Sequence, residues 1–229
     1  MMEHADNPIH GVPEPTLRRL PAYCQVLQRL LQQECAFVSC TQIGRALDLD
    51  PTQVRKDLAC AGAAGRPKVG YPVDELYHTL ETFLGWNNAR DAILVGAGHL
   101  GTALLGYRPF EQYGVRIVAA FDGAPEKCGN KIHNVMVFPL EKMPNLLERL
   151  NVHIGILTVP AEAAQSVCDM MTLNGIRAVW NFAPIALTVP AGVIVQSENL
   201  FSSLGILSSK LAAQLRAESP AADLKEAIR

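Results

Sequence analysis

The stretch ILVGAGHLG (residues 93–101) predicts the fold of the C-terminal part of this chain. In it an apolar run meets glycines at the spacing G-x-G-x-x-G, which joins a strand to a helix in a dinucleotide-binding βαβ unit. The spacing alone is a weak signal, because glycine turns are common. Here a second apolar strand, VRIVAAF (115–121), leads to Asp122, roughly 20 residues on, where a carboxylate accepts the hydroxyls of an adenosine ribose. The context therefore predicts a Rossmann-type fold that binds a dinucleotide.

Strand and helix patterns alternate through residues 90–197. A helix is predicted from the glycine loop to about Phe110, and another begins at Ala161. The strands are predicted at 92–95, 115–121, 135–138, 153–159, 176–182 and 192–196. Nearly continuous apolar strands separated by helices are typical of a parallel sheet covered on both faces. We therefore predict an α/β domain of the Rossmann type with a parallel sheet.

The acid after the second predicted strand also indicates which dinucleotide the site prefers. Asp122 would repel a 2′-phosphate, which favours NADH and NAD⁺ over their phosphorylated counterparts. Lys127 lies nearby in the sequence and argues in the opposite direction.

Residues 16–85 precede this domain and carry the signals of short helices. Ser39-Cys40-Thr41-Gln42 has the S-x-x-Q form of a capping box, and Asp50 followed by Pro51 is typical of a helix start. The glycine-rich stretch GAAGRPKVGY (62–71) has a basic tip and ends in a strand pattern. Short helices followed by a basic hairpin predict an N-terminal winged helix-turn-helix domain.

The helix that follows Asp50 is predicted to read DNA, because the second helix of a helix-turn-helix enters the major groove with its N-terminal side chains. The candidate DNA-binding residues are Ser39, Thr52, Gln53, Arg55, Lys56, Arg66, Lys68 and Tyr71. Residues 51–70 hold four basic residues and one acid, a balance of +3 in a chain of net charge −2. A plain dimerisation or interaction module stays open, since a short charged run is usually a solvated face.

Other features of the sequence exclude several classes of protein. No apolar run approaches the roughly 18 residues of a membrane helix, and the N-terminus lacks the basic start and apolar core of a secretory signal. The six cysteines form no C-x-x-C pair and have no histidine at metal spacing, so neither a metal site nor a disulfide framework is predicted. We expect a cytoplasmic protein with flexible termini at 1–15 and 217–229.

No group stands out as the acid or base that hydride transfer needs. His99 lies in the glycine loop, His133 in a predicted turn and His153 at a strand start. No segment is left for a separate substrate domain, so the dinucleotide is interpreted as a signal and no catalytic residue is predicted. Two alternatives stay open: a small NAD-dependent dehydrogenase with an N-terminal appendage, and a nucleotide-binding structural or partner-binding protein.

The chain resembles one known family, the Rex redox-sensing transcriptional repressors, over nearly all of residues 13–215. The matching stretches are RRLPAY (18–23), VSCTQIGRAL (38–47), DPTQVRKDL (50–58), VGYPVDEL (69–76), VGAGHLGTALLGY (95–107), AFDGAPEKCG (120–129), ILTVPAEAAQ (156–165) and IRAVWNFAPIALTVP (176–190). The resemblance implies a winged helix on operator DNA, a Rossmann domain with NADH or NAD⁺ as a regulatory ligand, and a homodimer. It also implies that the DNA is released when NADH binds.

The resemblance assigns roles within the dinucleotide site. The pyrophosphate loop falls on residues 96–101, the ribose acid on Asp122, the nicotinamide neighbourhood on 158–160 and 181–184, and a tyrosine near the ring on Tyr107. The candidate cofactor-binding residues are Gly96, Ala97, Gly98, His99, Leu100, Gly101, Tyr107, Asp122, Lys127, Thr158, Val159, Pro160, Asn181, Phe182, Ala183, Pro184 and Leu200.

The last helix is predicted at 198–216 and, by the resemblance, is a dimerisation helix that reaches the other subunit. Leu200, Leu204, Leu207 and Leu211 recur at intervals of four, three and four, a seam suited to packing against another helix. The same stripe could equally cover the sheet of its own domain.

The chain departs from the family pattern at three places. Its recognition helix ends in Ala59-Cys60-Ala61 where relatives usually carry an aromatic pair, and its wing contains Pro67. Asn199 stands where relatives start the last helix with an acid.

Overall fold

The computed structural model describes residues 12–87 and 90–218, without the side chains of residues 200, 217 and 218. Within these ranges the chain divides into two compact units. The first contains the residues up to 87 and a return at 110–114, and the second contains 90–109 and the residues from 115 onward.

The first unit has the topology of a winged helix. Its elements are α1 (Glu14–Gln32), β1 (Phe37–Val38), α2 (Cys40–Leu47), α3 (Pro51–Cys60), β2 (Tyr71–Pro72) and α4 (Val73–Phe83). Strands β1 and β2 pair antiparallel. The largest fully buried side chains of its core are Leu20, Tyr23, Leu27, Ile43, Leu58 and Leu80.

Local hydrogen bonds explain where α2 and α3 begin, and they confirm both predicted helix starts. Ser39 Oγ accepts a hydrogen bond from Gln42 N at 3.2 Å, and Gln42 Oε1 accepts one from Ser39 N at 2.8 Å. Asp50 Oδ1 accepts hydrogen bonds from Thr52 N at 2.7 Å and Gln53 N at 3.3 Å. Each cap satisfies backbone donors that the first turn of a helix leaves free.

The turn between α2 and α3 is tight because Gly44 has no side chain. A Cβ atom at this position would lie 2.5 Å from the carbonyl oxygen of Leu49. Asp48 ends α2 in the left-handed region, with φ 54°. A larger residue at position 44 would therefore push apart the two helices of the helix-turn-helix.

The wing is a hairpin closed by Arg66 and Gly70, which exchange backbone hydrogen bonds of 2.6 and 3.0 Å. Lys68 occupies its tip with φ 63°. The strand pattern predicted at the end of the wing is shorter than expected, because Val69 belongs to the tip, where it is 50% exposed, and β2 begins only at Tyr71.

The helices at the two ends correct the predicted flexible termini. Helix α1 starts at Glu14, with Pro15 in its first turn, where a missing N–H costs no hydrogen bond. The last helix extends to Glu218, past the predicted boundary at 216. Residues 1–11 and 219–229 of the predicted termini lie outside the described residues.

The second unit alternates strands and helices. Its strands are β3 (Arg90–Val95), β4 (Val115–Asp122), β5 (Lys131–Ile132), β6 (Val135–Pro139), β7 (Ile154–Leu157), β8 (Ala178–Asn181) and β9 (Ile194–Ser197). The helices in this part of the chain are α5 (His99–Leu105), α6 (Pro109–Gln112), α7 (Met143–Leu150), α8 (Ala161–Leu173) and α9 (Leu200–Glu218). Short 3₁₀ turns follow β4 at Pro125–Lys127 and β6 at Leu140–Lys142.

The strand order is β5-β6-β4-β3-β7-β8-β9, and each neighbouring pair is parallel except β5 and β6. The prediction of a mostly parallel sheet is confirmed. Ile93 and Val95 of β3 lie in one apolar core, and Ala92 and Leu94 lie in another. A strand buried on both faces is what a sheet between two helical layers requires.

The helix predicted to run to Phe110 is interrupted. Helix α5 ends at Leu105 and α6 begins at Pro109, since Gly106 and a proline do not continue a helix. A Cβ atom at Gly106 would lie 2.8 Å from His133 Nε2, so a larger residue would displace that imidazole. The strands predicted at 153–159 and 176–182 shorten to β7 and β8, because the residues after them leave the sheet as loops. Neither β5 nor α7 was predicted.

Residues 110–114 return to the first unit, where Tyr113 packs against Trp86 with ring centroids 4.6 Å apart. Gly114 follows with φ 70°, and a Cβ atom there would lie 2.7 Å from the carbonyl oxygen of Trp86. No sequence pattern predicts this contact.

Helix α9 is exposed along its length, since each described side chain from 201 to 216 is exposed. Its large apolar side chains are Phe201, Leu204, Ile206, Leu207, Leu211 and Leu215. Among the described helices, α9 included, none combines the length and apolar character that crossing a membrane requires.

Candidate functional site

The carboxyl ends of the central strands bring most of the predicted dinucleotide residues to one edge of the sheet. Val95, the last residue of β3, is in register with Phe121 on one side and Leu157 on the other. Leu157 is in turn in register with Asn181 of β8. The glycine loop, Asp122 and the segments after β7 and β8 therefore share this edge. The strand order reverses at β3, which is where doubly wound sheets bind ligands.

The three glycines of the loop have different surroundings. Gly96 has φ 102°, and a Cβ atom there would lie 2.7 Å from the carbonyl oxygen of Thr158. A Cβ atom at Gly101 would collide with the carbonyl oxygen of Gly96. Gly98 has an ordinary φ of −77°, and a Cβ atom there would meet no atom of the described residues within 4 Å. Gly96 and Gly101 thus fold the loop, whereas Gly98 leaves open space that fits a pyrophosphate.

Thr158 holds the glycine loop from the neighbouring strand. Its hydroxyl donates to the carbonyl oxygen of Gly96 at 2.8 Å and lies 3.1 Å from that of Val95. Its side chain is therefore engaged with the loop, which makes Thr158 a positioning residue. Val159 is half-buried and Pro160 is exposed beside it.

Asp122 ends β4 with a nearly buried carboxylate. Its Oδ1 accepts a hydrogen bond from Ala124 N at 2.8 Å, and its Oδ2 accepts one from Lys127 Nζ at 3.0 Å. A carboxylate has about four acceptor positions, so each oxygen keeps one that a ribose hydroxyl can use. These acceptor positions therefore fit the hydroxyl donors at the adenosine end of a dinucleotide.

Asn181 shapes the loop after β8 from a fully buried position. The partners of its amide are Ile185 O (2.9 Å), Ser197 Oγ (3.2 Å) and Ala183 N (2.9 Å). Phe182 is half-buried, with its ring centroid 4.8 Å from that of Trp180, and Pro184 is exposed. Phe182 and Pro184, rather than Asn181, thus offer side-chain surface to a ligand.

Gln165 holds the middle of the same loop, although it carries no sequence signal of its own. Its Nε2 donates to Thr188 O at 2.8 Å, and its Oε1 accepts a hydrogen bond from Thr188 N at 2.9 Å. Nε2 also donates to Asp169 Oδ1 at 2.7 Å. The paired bonds fix the loop of residues 182–193 on α8.

The other predicted dinucleotide residues differ in exposure. Ala97 is buried, Leu100 is half-buried, and His99 is exposed at the first position of α5. Tyr107 follows α5 and is 52% exposed. Leu200 begins α9, but its side chain lies outside the described residues.

The first half of α3 carries exposed donor side chains. Thr52, Arg55 and Lys56 are exposed, and within the described residues neither basic side chain forms an ion pair. Gln53 differs, because its Nε2 donates to Asp57 Oδ1 at 2.9 Å. The basic residues of α3 are therefore accessible to DNA, while Gln53 is turned towards the protein.

Asp57 fastens α3 to α1 through a carboxylate that is only 1% exposed. Its donors are Arg19 Nε (2.7 Å) and Nη2 (2.8 Å), Tyr23 Oη (2.6 Å), Thr16 Oγ1 (2.9 Å) and Gln53 Nε2 (2.9 Å). Burial by itself raises the pKa of Asp57, but these donors, led by Arg19, outweigh it and lower the pKa to about 2. The network fixes the orientation of the recognition helix, and no sequence pattern predicts it.

The wing tip presents Arg66 and Lys68. Arg66 forms an exposed ion pair with Glu75 at 3.1 Å, and its guanidinium lies 5.7 Å from the centre of the Phe37 ring. Lys68 is exposed at the turn. Arg66 is thus partly held by its neighbours, whereas Lys68 projects from the tip.

Ser39 and Tyr71 lie at the base of the wing. The Ser39 hydroxyl caps α2, as described above, and Tyr71 pairs with Val38 in the small sheet. Tyr71 is half-buried, and this burial raises the pKa of its hydroxyl. The Ser39 hydroxyl is engaged in the cap, and the Tyr71 side chain packs against the core of the first unit.

The six cysteines are free thiols. Cys24 and Cys168 are buried, and burial raises the pKa of Cys24 to about 12. Cys60, the last residue of α3, is exposed. Across the residues that the structure describes, no three His, Cys, Asp or Glu side chains gather as metal ligands would.

Known families match both units. The family described as "Putative DNA-binding protein N-terminus" matches residues 11–59, and the one described as "CoA binding domain" matches residues 87–185. The redox-sensing transcriptional repressor Rex of Treponema denticola is 43% identical over 193 residues, which cover 84% of this chain and 92% of that protein. The Rex repressor of Bacteroides fragilis is 41% identical over 210 residues, which cover 92% of this chain and 94% of that protein. The chain belongs to the Rex family.

Solved structures of a Rex-family repressor, RSP, share this fold. RSP in complex with β-NADH has a TM-score of 0.83 at 34% identity, and the match covers 92% of this chain and 99% of RSP. RSP in complex with β-NAD⁺ and operator DNA has a TM-score of 0.82 at 35% identity, with 91% and 98% covered. Both relatives are described as transcriptional repressors, which argues against the dehydrogenase alternative.

The residues that depart from the Rex pattern lie at the start of α9, at the end of α3 and in the wing. Asn199 Oδ1 accepts a hydrogen bond from Ser202 N at 3.1 Å, so this residue caps the start of α9. Ala59 and Cys60 are exposed at the end of α3, and Pro67 lies in the hairpin tip of the wing.

Proposed function

We propose that this chain is a redox-sensing repressor that binds operator DNA as a homodimer and releases it when NADH occupies the second unit. The open space at Gly98 carries the proposal: Gly96 and Gly101 are needed to fold the loop, whereas no packing contact of the described residues requires a glycine at position 98, at the start of α5. RSP supports it, having been solved with NADH, and with NAD⁺ and operator DNA. The proposed segments are 16–85 for DNA binding, 90–197 for the dinucleotide and 198–216 for dimerisation.

Different residues at the sheet edge would bind different parts of the dinucleotide. Backbone donors of residues 98–100 bind the pyrophosphate, and Asp122 with Lys127 binds the adenosine ribose. Thr158 and Asn181 position the loops around the nicotinamide. The apolar wall of that pocket is assigned to Tyr107, Val159, Pro160, Phe182 and Pro184, and the family resemblance adds Leu200. An apolar wall disfavours the positively charged oxidised ring through desolvation, so the pocket favours the reduced form.

The first unit would contact DNA with two elements. Helix α3 enters the major groove, and the wing contacts the phosphate backbone. The direct contacts are assigned to Thr52, Arg55, Lys56, Arg66 and Lys68. Gln53, bonded to Asp57, positions the helix, and Ser39 and Tyr71 support the base of the wing. A repressor acts where the DNA is, so we place the protein in the cytoplasm.

Helix α9 would hold two copies together. Leu204, Leu207 and Leu211 form one exposed stripe, and Ile206 lies on the opposite side of the helix. A helix that is apolar on several faces is normally buried all round, and a second copy of the chain supplies that cover. A twofold dimer also suits operator half-sites related by twofold symmetry.

NADH can act as a signal only if it binds one conformation of the dimer better than another, since equal affinities shift nothing. A form whose recognition helices are no longer one helical turn of DNA apart would bind operator weakly. If NADH prefers that form, it lowers operator affinity by linkage.

Anisotropy of labelled operator DNA tests the proposal. The full chain is titrated onto fragments from upstream of fermentation and respiration genes, with and without NADH. We expect NADH to weaken binding by at least about tenfold, a typical allosteric coupling. Replacing Arg55 and Lys56 by Ala should weaken binding and reduce its salt dependence. Operator binding that stays unchanged when NADH is bound, as judged by calorimetry, would overturn the sensor.

Light scattering tests the role of α9. The chain is ended at Glu198, which keeps Ser197 and its bond to Asn181. We expect this chain, and the pair Leu204→Glu with Leu211→Glu, to be monomeric. Leu173→Glu makes the same kind of change at an exposed leucine of α8, outside α9, and serves as the matched control. Shortened chains that remain dimeric contradict the assignment.

A further inference from the structure

The ribose end of the dinucleotide site contains a cation as well as an acid. Lys127 ends the 3₁₀ turn at Pro125–Lys127, which follows β4, and its Nζ donates to Asp122 Oδ2 at 3.0 Å. The side chain of Asp122 is 9% exposed and that of Lys127 is 37% exposed. The carboxylate is therefore enclosed, while part of the ammonium faces solvent.

NADH carries a 2′ hydroxyl on its adenosine ribose and NADPH carries a 2′-phosphate, and Asp122 and Lys127 interact differently with these two groups. A ribose with free 2′ and 3′ hydroxyls has two donors, and each Asp122 oxygen keeps an acceptor position for one of them. A 2′-phosphate offers no donor when fully ionised and is repelled by the carboxylate. It is attracted by an ammonium, and Lys127 Nζ lies 3.0 Å from Oδ2 of the carboxylate that would receive the ribose.

We infer that Lys127 is a specificity-determining residue, whose ammonium reduces the discrimination that Asp122 imposes against 2′-phosphorylated dinucleotides. The inference rests on the proposed function, because it takes the ribose of NADH to lie at Asp122. Without Lys127, the site repels NADPH more strongly. Without the charge of Asp122, Lys127 is left as an anion-binding group and the same site accepts NADPH.

A purely structural role for Lys127 predicts a different outcome. If Lys127 only held the carboxylate and the 3₁₀ turn in place, its loss would weaken NADH and NADPH by the same factor. The ratio of the two dissociation constants separates the two roles, because general damage to the pocket cancels in it.

The test titrates NADH and NADPH into the full chain and into Lys127→Met, Asp122→Asn and Lys131→Met. Lys131 is exposed on β5, so Lys131→Met makes the same change in net charge away from the carboxylate. One charge next to a phosphate in a partly exposed site changes affinity by about tenfold. We expect Lys127→Met to raise the ratio Kd(NADPH)/Kd(NADH) by about that factor, Asp122→Asn to lower it by at least about as much, and Lys131→Met to leave it unchanged.

The outcomes separate this inference from the function on which it rests. A ratio that is unchanged or lower in Lys127→Met, in a chain that binds NADH, overturns the inference alone. A wild-type chain that binds neither NADH nor NADPH overturns the proposed function as well. Because Lys127 is partly exposed, its variant is expected to fold, and circular dichroism melting checks this.

Discussion

Among the described residues, each unit buries one carboxylate deeply, Asp57 in the first and Asp122 in the second, and the two carboxylates use their hydrogen-bonding capacity to different extents. Asp57 accepts hydrogen bonds from the side chains of Thr16, Arg19, Tyr23 and Gln53. Asp122 accepts one from the backbone of Ala124 and one from Lys127. Their exposures are similar, 1% and 8%, so burial alone does not distinguish them.

The number of acceptor positions left over distinguishes a structural carboxylate from one that binds a ligand. A buried polar group is costly unless its hydrogen bonds are made, so a saturated carboxylate stabilises the fold and gains nothing from a ligand. A carboxylate that keeps acceptor positions at the mouth of a crevice gains from a hydroxyl. Asp57 therefore contributes to the stability of the first unit, and Asp122 contributes to the ligand affinity of the second. Changes at these acids and at their surroundings test this contrast.

Asp57→Asn should have the largest effect. An amide cannot replace the paired, charged bonds to Arg19, so we expect the free energy of unfolding of the first unit to fall by about 3 kcal/mol. Operator binding should weaken because α3 loses its fixed orientation, while NADH affinity should not change. Trp86 lies in the first unit and Trp180 in the second, so fluorescence in a Trp180→Phe background follows the first unit alone.

Asp122→Asn is the matched control for this measurement. Lys127 is partly exposed and the Ala124 N–H can still bond to an amide oxygen, so the free energy of unfolding should change by less than about 1 kcal/mol. Equal losses of stability in the two variants would remove the contrast between the two acids.

Gly98→Val should follow in size and act on affinity instead of stability. A Cβ atom at Gly98 meets no described atom within 4 Å, so the variant should fold normally. A branched side chain in the space for the pyrophosphate should lower NADH affinity by at least about 100-fold, or about 2.7 kcal/mol. Calorimetry measures this, and wild-type affinity in the variant would sink the assignment of the loop. Gly96→Val, at φ 102°, should instead destabilise the fold.

Acid should weaken the first unit through Asp57. The pKa of its carboxyl is about 2 in the folded chain and 3.8 ordinarily, so its contribution is complete above the ordinary value and is lost as the pH falls through about 2. By linkage this contribution is about 2 kcal/mol. Unfolding followed by Trp86 between pH 2 and 6 measures it, and Asp57→Asn should flatten that part of the profile.

Gln165→Ala should have the smallest effect. It should distinguish the nicotinamide part of the dinucleotide site from the ribose part. Loss of its paired bonds to Thr188 frees the loop that carries Phe182, and we expect NADH affinity to fall about fivefold, or about 1 kcal/mol. ADP, which has the ribose but no nicotinamide, should bind as before. Asp169→Ala removes only the third partner of Gln165 and is the control. An equal loss for both ligands would show general damage to the unit.

Features set by neighbouring residues could be predicted from the sequence. The capping box at Ser39 and the N-cap at Asp50 each depend on residues within one helical turn, and the glycine spacing at 96–101 locates the loop after β3. Contacts between distant positions could not be predicted. Thr16 and Asp57 are 41 positions apart, and Thr158 and Gly96 are 62 apart.

The glycine loop shows why the spacing of residues in the sequence predicts where a loop lies but not what each glycine does in it. Three glycines in a fixed pattern look equivalent in the sequence, and only the atoms packed around each one separate Gly96 and Gly101 from Gly98. Likewise, a glutamine near the start of α3 has the chemistry of a base-reading residue. Gln53 acts differently because Asp57 lies one turn away and is buried.

The distribution of thiols gives the recognition helix a built-in attachment point for a spectroscopic probe. Cys60 is exposed at the end of α3, whereas Cys35 and Cys128 are half-buried, Cys40 and Cys168 are buried, and Cys24 is buried with its pKa raised to about 12. A maleimide dye reacts through the thiolate, so brief labelling at neutral pH should mark Cys60 first. Its emission would then report the arrival and departure of DNA without any engineered cysteine.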